Sequence, residues 1–381
     1  MQRVGIFGGT FNPIHREHIE VAKNAIKELN LDILYIVPTK IPPHKEVVLA
    51  SDIDRLNMLK LAFDGEKKAV VSNFEMENGG KSYSYITVEY FKSIHESDKL
   101  FFIVGGDMLV DFKTWKTPER ITAVCDLAVF NRESFPFDYK LEQEYFKSRF
   151  NKEFIMLNYV GKEDSSTEIR VYSALGLDIA DKTDEKVARY IKENNIYTDM
   201  YGAKKYEDYI KDALPLKRLT HTANVAVTAL KVCKTLNIDK RKAYISAILH
   251  DVAKYKDLND FKDFHLPEGV PAPVVHAFLG AYIAENVLGI TDAEIIDAIR
   301  YHTSGKANMT TLSKLIFVAD MIEKGRDYEG VDKLRELYEK DFEKCFRACL
   351  EEEVLHLKQK ASYIYVETLN AYDYYINNNK N

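Results

Sequence analysis

Two sets of residues could do chemistry, one in each half of the chain. In the first half, Gly8-Gly9-Thr10-Phe11-Asn12-Pro13-Ile14-His15-Arg16-Glu17-His18 follows an apolar run and precedes a helical pattern. Backbone N–H groups in such a turn can face an anion together with the helix N-terminus, and small residues let phosphate oxygens come close to the main chain. Taken alone, a Gly-Gly turn is equally a tight strand-to-helix connection. His15 and His18 add chemistry, because residues three apart at a helix start share a face and both can donate to phosphoryl oxygens. Ser165-Ser166-Thr167-Glu168-Ile169-Arg170 opens a later helix with hydroxyls and N–H groups, followed by an arginine able to brace a polyphosphate. Pro42-Pro43-His44-Lys45 is a stiff loop ending in a cation, and Gly105-Gly106-Asp107 closes the apolar run Phe101–Val104 at the strand edge where open α/β sheets bind ligands.

In the second half, His221, His250-Asp251, His276, His302 and Asp320 are spread over 100 residues of helical pattern. Any one histidine on an apolar helical face is more often a hydrogen-bonded core residue than a ligand. Burying all of these imidazoles and carboxylates without a cation would carry a large desolvation cost, whereas metal ions would use every one of them. Mixed imidazole and carboxylate ligation without cysteine suits Fe, Mn or Co better than a thiolate-bound zinc site. Lys254, one turn after His250, could neutralise a phosphate or be an ordinary solvated lysine, and Arg326 is a similar candidate.

The elements that must position these residues change character along the chain. The short apolar runs Val4–Phe7, Ile33–Val37, Ala69–Val71, Leu100–Val104, Leu127–Phe130 and Phe154–Leu157 alternate with helical patterns such as Ile19–Leu29 and Tyr83–His95. Runs with little polar alternation are strands covered on both faces, so the expected fold is an α/β doubly wound parallel sheet of Rossmann-like type. After Tyr197 no convincing strand follows, and helical patterns recur at Arg241–Val252, Pro273–Leu288, Leu312–Glu323 and Phe342–Tyr375. The expected organisation is therefore an α/β domain over residues 1–199 and an all-α domain over 205–381. Tyr363, Tyr365, Tyr372, Tyr374 and Tyr375 are expected to pack on a helix face rather than to stack on bases.

Composition sets bounds on function. A chain of 381 residues with 46% hydrophobic and 29% charged residues has material for two cores. The net charge of −6 argues against binding long nucleic acid through nonspecific phosphate contacts, while leaving small anionic substrates open. Cys125, Cys233, Cys345 and Cys349 form no CxxC pair and are expected to be buried thiols in a reducing compartment. The opening Arg3-Val4-Gly5-Ile6-Phe7 looks like a strand rather than a signal segment, and no run of about 18 apolar residues occurs. A soluble cytoplasmic protein with no membrane partner is expected; a homo-oligomer is left open.

The ordered motifs Gly8 through His18, Pro42 through Lys45, Lys81-Ser82-Tyr83-Ser84, Gly105-Gly106-Asp107, Thr114-Trp115 and Ser165 through Arg170 make the first half resemble nicotinate-nucleotide adenylyltransferases of the nucleotidyltransferase superfamily. The resemblance covers roughly residues 1–197. It implies that His15, His18, Lys45 and Arg170 are catalytic, that Gly8, Gly9, Thr10, Phe11, Ser166, Thr167 and Arg170 bind ATP with Mg²⁺, and that His44, Ser84, Asp107 and Trp115 meet the mononucleotide. Trp115, the one tryptophan of the chain, could stack on a pyridine ring or be a partly buried core residue. Two positions depart from the family pattern: Glu17 replaces the glycine usual between the two histidines, and Ile86 replaces a residue often acidic. Glu17 is expected to point outward, since an inward carboxylate would repel phosphate.

The pattern H…HD…D, here His221, His250-Asp251 and Asp320, makes the second half resemble HD-superfamily phosphohydrolases. The segments His250 through Lys254, Val275 through Ala281, Tyr301 through Gly305 and Ala319 through Glu323 narrow this to bacterial HD-type symmetrical diadenosine tetraphosphate hydrolases. That resemblance implies a dinuclear centre, with iron expected, held by His221, His250, Asp251, His276, His302 and Asp320, with Asp251 bridging and catalytic beside Lys254. Together the halves imply a bifunctional enzyme that acts on small nucleotides: ATP, nicotinate mononucleotide and diadenosine tetraphosphate. The rival reading makes the second half a nucleotide sensor that binds without hydrolysis and regulates the first. Other phosphorylated nucleotides for the HD half, and nicotinamide in place of nicotinate for the first, also stay open.

Overall fold

The computed structural model describes residues 1–40, 50–78, 83–133, 138–162 and 165–378. They form two compact units: Met1–Ile169 with Asp178–Tyr197, and Arg170–Leu177 with Thr198–Asn381.

The first unit is built on a six-stranded sheet: β1 (Arg3–Gly9), β2 (Ile33–Pro38), β3 (Ala69–Val71), β4 (Lys99–Gly105), β5 (Asp126–Arg132) and β6 (Ile155–Gly161). Every pairing is parallel and the order is β3-β2-β1-β4-β5-β6. The order reverses at β1, which lies between β2 and β4, so the loops after β1 and β4 diverge at the carboxyl edge and leave a crevice there. The central strands are apolar on both faces because helices cover both, and Val4, Ile6, Phe102, Val104, Leu127 and Val129 are buried. β6 runs Ile155–Gly161, extending past the apolar run Phe154–Leu157, and its register to β5 shifts between Val129 and Asn131.

The second unit has no strand among its described residues. The helix Lys240–Leu249 lies at its centre, with every residue from Ala243 to Leu249 buried. It packs against the helices Leu216–Val232, Ala293–Tyr301 and Thr311–Ile322. The long helical pattern Phe342–Tyr375 is in fact two helices, Phe342–Gln359 and Val366–Tyr372, separated where Ala361 takes a left-handed φ of 49°. Of the five tyrosines there, Tyr365 and Tyr375 are buried, Tyr372 is half-buried and Tyr363 and Tyr374 are exposed; Tyr363 and Tyr365 precede the helix Val366–Tyr372 rather than lying on its face. All four cysteines are buried free thiols. No helix of the described residues is long and apolar enough to cross a membrane.

Candidate active sites

In the first unit the helix Arg16–Glu28 begins at the mouth of the crevice, and its N-cap is His15. The His15 N–H donates to His18 Nδ1 at 3.3 Å, the His18 N–H donates to His15 Nδ1 at 3.4 Å, and the two rings stack with centroids 3.5 Å apart. Because each Nδ1 accepts, each neutral ring carries its proton on Nε2. Burial, then the Arg132 charge, brings the His15 pKa down to about 3, and burial, His15 and Arg132 hold His18 well below the usual value. At neutral pH the pair is two N–H donors rather than two cations.

The glycines before them play different parts. A Cβ on Gly9 would come within 2.9 Å of the Phe11 ring, so packing alone demands glycine there. A Cβ on Gly8 would meet nothing closer than 3.8 Å, so neighbouring atoms do not require its glycine. The loop is held from behind by Arg55, which is fully buried: Nη1 donates to Thr10 O at 2.8 Å and Thr39 O at 2.9 Å, and Nη2 to Asp52 Oδ1 at 2.6 Å. Sequence reasoning missed Arg55, whose only signal is a cation on the buried face of a helix.

Ser166 donates its hydroxyl to Pro13 O at 2.9 Å, which ties the start of the helix Ser166–Ala174 to the same loop, and Ser165 Oγ accepts from Thr167 N at 3.1 Å. Arg170, one turn on, belongs to the stretch Arg170–Leu177 of the second unit. Asp107 follows β4, pairs with Arg132 at 3.6 Å, and has one buried carboxylate oxygen without a hydrogen bond. Arg132, at the carboxyl end of β5, is a second cation that motif reading missed. Trp115 is half-buried against Phe112 and Phe102, with centroids 5.2 and 6.3 Å away, and Ser84 opens the helix Ser84–Ile94. His44 and Lys45 lie outside the described residues.

Glu17 corrects an expectation: it is buried, not outward-facing. Its Oε1 would lie 2.8 Å from a Cβ on Gly161, so the absent side chain at Gly161 makes the space it occupies. Position 17 falls on the side of its helix that packs on β6, off the face shared by His15 and His18.

In the second unit, five separate helices each deliver one or two groups to one place. His250 and His302 terminate the helices Lys240–Leu249 and Ala293–Tyr301, and each Nδ1 donates to the carbonyl three residues earlier, Ala247 O at 2.6 Å and Ile299 O at 2.7 Å. Nδ1 therefore holds the proton and Nε2 presents a lone pair. His221 Nδ1 is held by Glu323 Oε1 at 3.0 Å in the same manner. The two Asp251 oxygens face different histidines: Oδ2 is 3.4 Å from His250 Nε2 and 3.8 Å from His221 Nε2, while Oδ1 is 3.1 Å from His276 Nε2 and 3.7 Å from His302 Nε2. Asp320 Oδ1 is 3.1 Å from His221 Nε2.

Close approach does not make these atoms satisfied. His221 Nε2, His250 Nε2 and Asp251 Oδ1 are buried without a hydrogen bond, a cost of about 1–3 kcal/mol each that a cation among them removes. Potential ligand atoms of His221, His250 and Asp320, and likewise of His250, Asp251 and His302, lie within 4.8 Å of one another. The residues present thus fit divalent metal. Burial would raise the Asp251 and Asp320 carboxyls, but the surrounding histidines outweigh it and hold both well below the usual range. Burial brings the His276 pKa down to about 4, so its ring is neutral and able to ligate. Lys254 Nζ is 3.2 Å from His276 Nε2 and 3.7 Å from Asp251 Oδ1. Two arginines flank the cage: Arg218 reaches Asp251 Oδ2 at 2.8 Å, and Arg326 bonds both the carboxylate and the carbonyl of Asp320. Arg218 and Glu323 were missed as site residues, although each lies three residues from a candidate ligand, His221 or Asp320, on the same helix face or at its end.

The comparisons with known proteins follow the same division. The cytidylyltransferase-like family matches residues 6–171 and the HD domain matches residues 218–325. A probable nicotinate-nucleotide adenylyltransferase/Ap4A hydrolase of Mycoplasma genitalium is 29% identical over 86% of this chain and 89% of its own length, and one of Mycoplasma pneumoniae is 29% identical over 91% and 97%. A probable nicotinate-nucleotide adenylyltransferase of Clostridium tetani is 38% identical over 52% of this chain and the whole of its own. The chain therefore belongs to the nicotinate-nucleotide adenylyltransferase family, extended in the same polypeptide by an HD domain.

Proposed function

We propose that the chain is a bifunctional nucleotide enzyme: an adenylyltransferase that joins ATP to nicotinate mononucleotide, and a metal-dependent hydrolase that divides diadenosine tetraphosphate symmetrically into two ADP. The first reaction supplies a dinucleotide to NAD biosynthesis. The observation that carries the second is the division of Asp251 between two histidine sets, which suits a bridging carboxylate and two ions.

At the first site the mononucleotide phosphate oxygen bonds to the α-phosphorus of ATP in line with the bond that breaks, and pyrophosphate leaves. Such transfer depends on positioning and on donors that meet charge on the phosphoryl oxygens. His15 and His18 supply Nε2–H groups, the Gly8 loop supplies backbone N–H groups, and Lys45, Thr167 and Arg170 complete the polyphosphate contacts, with Mg²⁺ accompanying ATP. His44, Ser84, Asp107 and Trp115 meet the mononucleotide. At the second site a divalent pair, for which we favour iron, would lower the pKa of a water and offset phosphate charge. His221, His250, His276, His302, Asp251 and Asp320 would hold that pair, and Lys254 would offer a cation beside it.

The test is to incubate anaerobically prepared, iron-loaded protein with diadenosine tetraphosphate and resolve the products, with His250→Ala/Asp251→Ala as control. ADP alone, lost in the variant, is expected. ATP plus AMP would mean a different cleavage register, and intact substrate that still binds would make the second half a sensor.

A further inference from the structure

A cleft of about 970 Å³ opens at the second site. His302, Thr303, Asp320 and Arg326 form its metal-cage end, and it continues along the helices Val331–Lys340 and Phe342–Gln359. That volume suits a nucleotide rather than a phosphate alone, since pockets for small organic ligands span roughly 300–1,000 Å³.

Among the lining residues, Glu353 is the carboxylate that falls on the buried stripe of its helix, in line with Phe346, Cys349 and Leu350. It is half-buried, and its carboxylate has no hydrogen-bond or ion-pair partner among the described residues. Burial and then Asp320 push its carboxyl above the usual range, against the opposing charges of Arg326 and Lys360. Glu353 lines the same cleft as Asp320 and Arg326, on a helix that packs against the helix carrying Asp320.

A carboxylate in that position repels every phosphate of a polyphosphate ligand. Only an O–H or N–H donor on the ligand would relieve its desolvation. In a nucleoside polyphosphate the first donors beyond the phosphates are the ribose hydroxyls, and the N–H groups of the base lie farther out. Two adjacent hydroxyls also match the two oxygens of one carboxylate, in hydrogen bonds strengthened by its charge. Resting on the hydrolase reading above, we propose that Glu353 receives the ribose hydroxyls of the substrate half held in this cleft, so that the second site selects ribonucleotides over deoxyribonucleotides.

The test compares initial rates of the metal-loaded full chain on diadenosine tetraphosphate and on its 2′-deoxy and 3′-deoxy analogues. Wild type should prefer the ribose substrate by roughly 10- to 100-fold in kcat/KM, mainly through KM, the range for a hydrogen bond to a charged group. In Glu353→Ala that preference should collapse towards one as the ribose substrate loses its advantage, with metal content retained. Glu353→Gln, which keeps one acceptor oxygen, should fall between. Equal wild-type rates on all three substrates, or a Glu353→Ala defect that weakens all three alike, would overturn the ribose assignment while leaving the hydrolase intact. If wild type cleaves none of them, the hydrolase reading falls and the assignment falls with it.

Discussion

Both sites use buried histidines whose Nδ1 is occupied by a backbone partner, yet the rings end with opposite polarity. His15 and His18 lie at a helix N-terminus, where the free backbone groups are N–H donors, so Nδ1 accepts and Nε2 is left as a donor suited to phosphate. His250 and His302 lie at helix C-termini, where the free groups are carbonyls, so Nδ1 donates and Nε2 is left as a lone pair suited to a metal. The end of the helix on which an imidazole is placed thus decides whether it serves an anion or a cation. The two sites also differ in what they lack. The two histidines of the first site are hydrogen-bonded to each other and its unpaired buried atom is an Asp107 oxygen, whereas the second site leaves two histidine nitrogens as well as a carboxylate oxygen without a hydrogen bond.

The largest effect that would break this contrast is expected from His250→Ala/Asp251→Ala. It should lower diadenosine tetraphosphate hydrolysis by at least about 10³-fold, through loss of metal and of the nucleophile it activates, while adenylyl transfer stays within about twofold. Parallel assays with metal analysis of the purified variant would measure both, and a matching fall in adenylyl transfer would refute independent sites. Next, His18→Ala should cost about 10²–10³-fold in adenylyl transfer, the range for one preorganised donor, with hydrolysis retained. With the His15 pKa near 3 in the free protein, kcat/KM for ATP should also show no histidine inflection near pH 6.5. Such an inflection, lost in His15→Gln, would mean that the pair works as cations.

Metal loading should stabilise the second unit by about 3 kcal/mol at a hundredfold excess over Kd, seen as a rise in its thermal transition that chelation reverses. An unchanged transition would show that the cage is satisfied without metal.

The smallest effect concerns Glu207, whose Oε1 accepts from Met200 N and Tyr244 OH, each at 2.9 Å. Burial raises its pKa to about 7, so the folded state binds this proton more tightly than the unfolded one. The resulting stabilisation is complete below the unfolded value of about 4.5 and is lost as pH rises through 7. Glu207→Gln, which keeps an acceptor oxygen, should match wild type in thermal stability near pH 4.5 and exceed it by roughly 1–3 kcal/mol at pH 8. Curves that remain parallel across that range would contradict the shift.

The amino-acid sequence by itself determined the α/β sheet, the helical second half and the identity of the metal-ligand candidates. Apolar runs covered on both faces admit few arrangements other than a parallel sheet, and a metal cage needs particular side-chain types whatever their path through the chain. Tertiary structure decided what depends on atoms brought together from distant positions. It divided the Asp251 oxygens between two histidine sets, closed Arg55 over carbonyls of two separate loops, and placed Glu353 in the cleft that Asp320 also lines. It also buried Glu17, because the room for that carboxylate is made by a glycine 144 residues away, at the end of β6. Local periodicity reports which face of an element is apolar, but not which atom meets it from across the fold. Hydrogen-bond polarity, ion pairing and the relief of buried charge are properties of those meetings, and only the folded chain contains them.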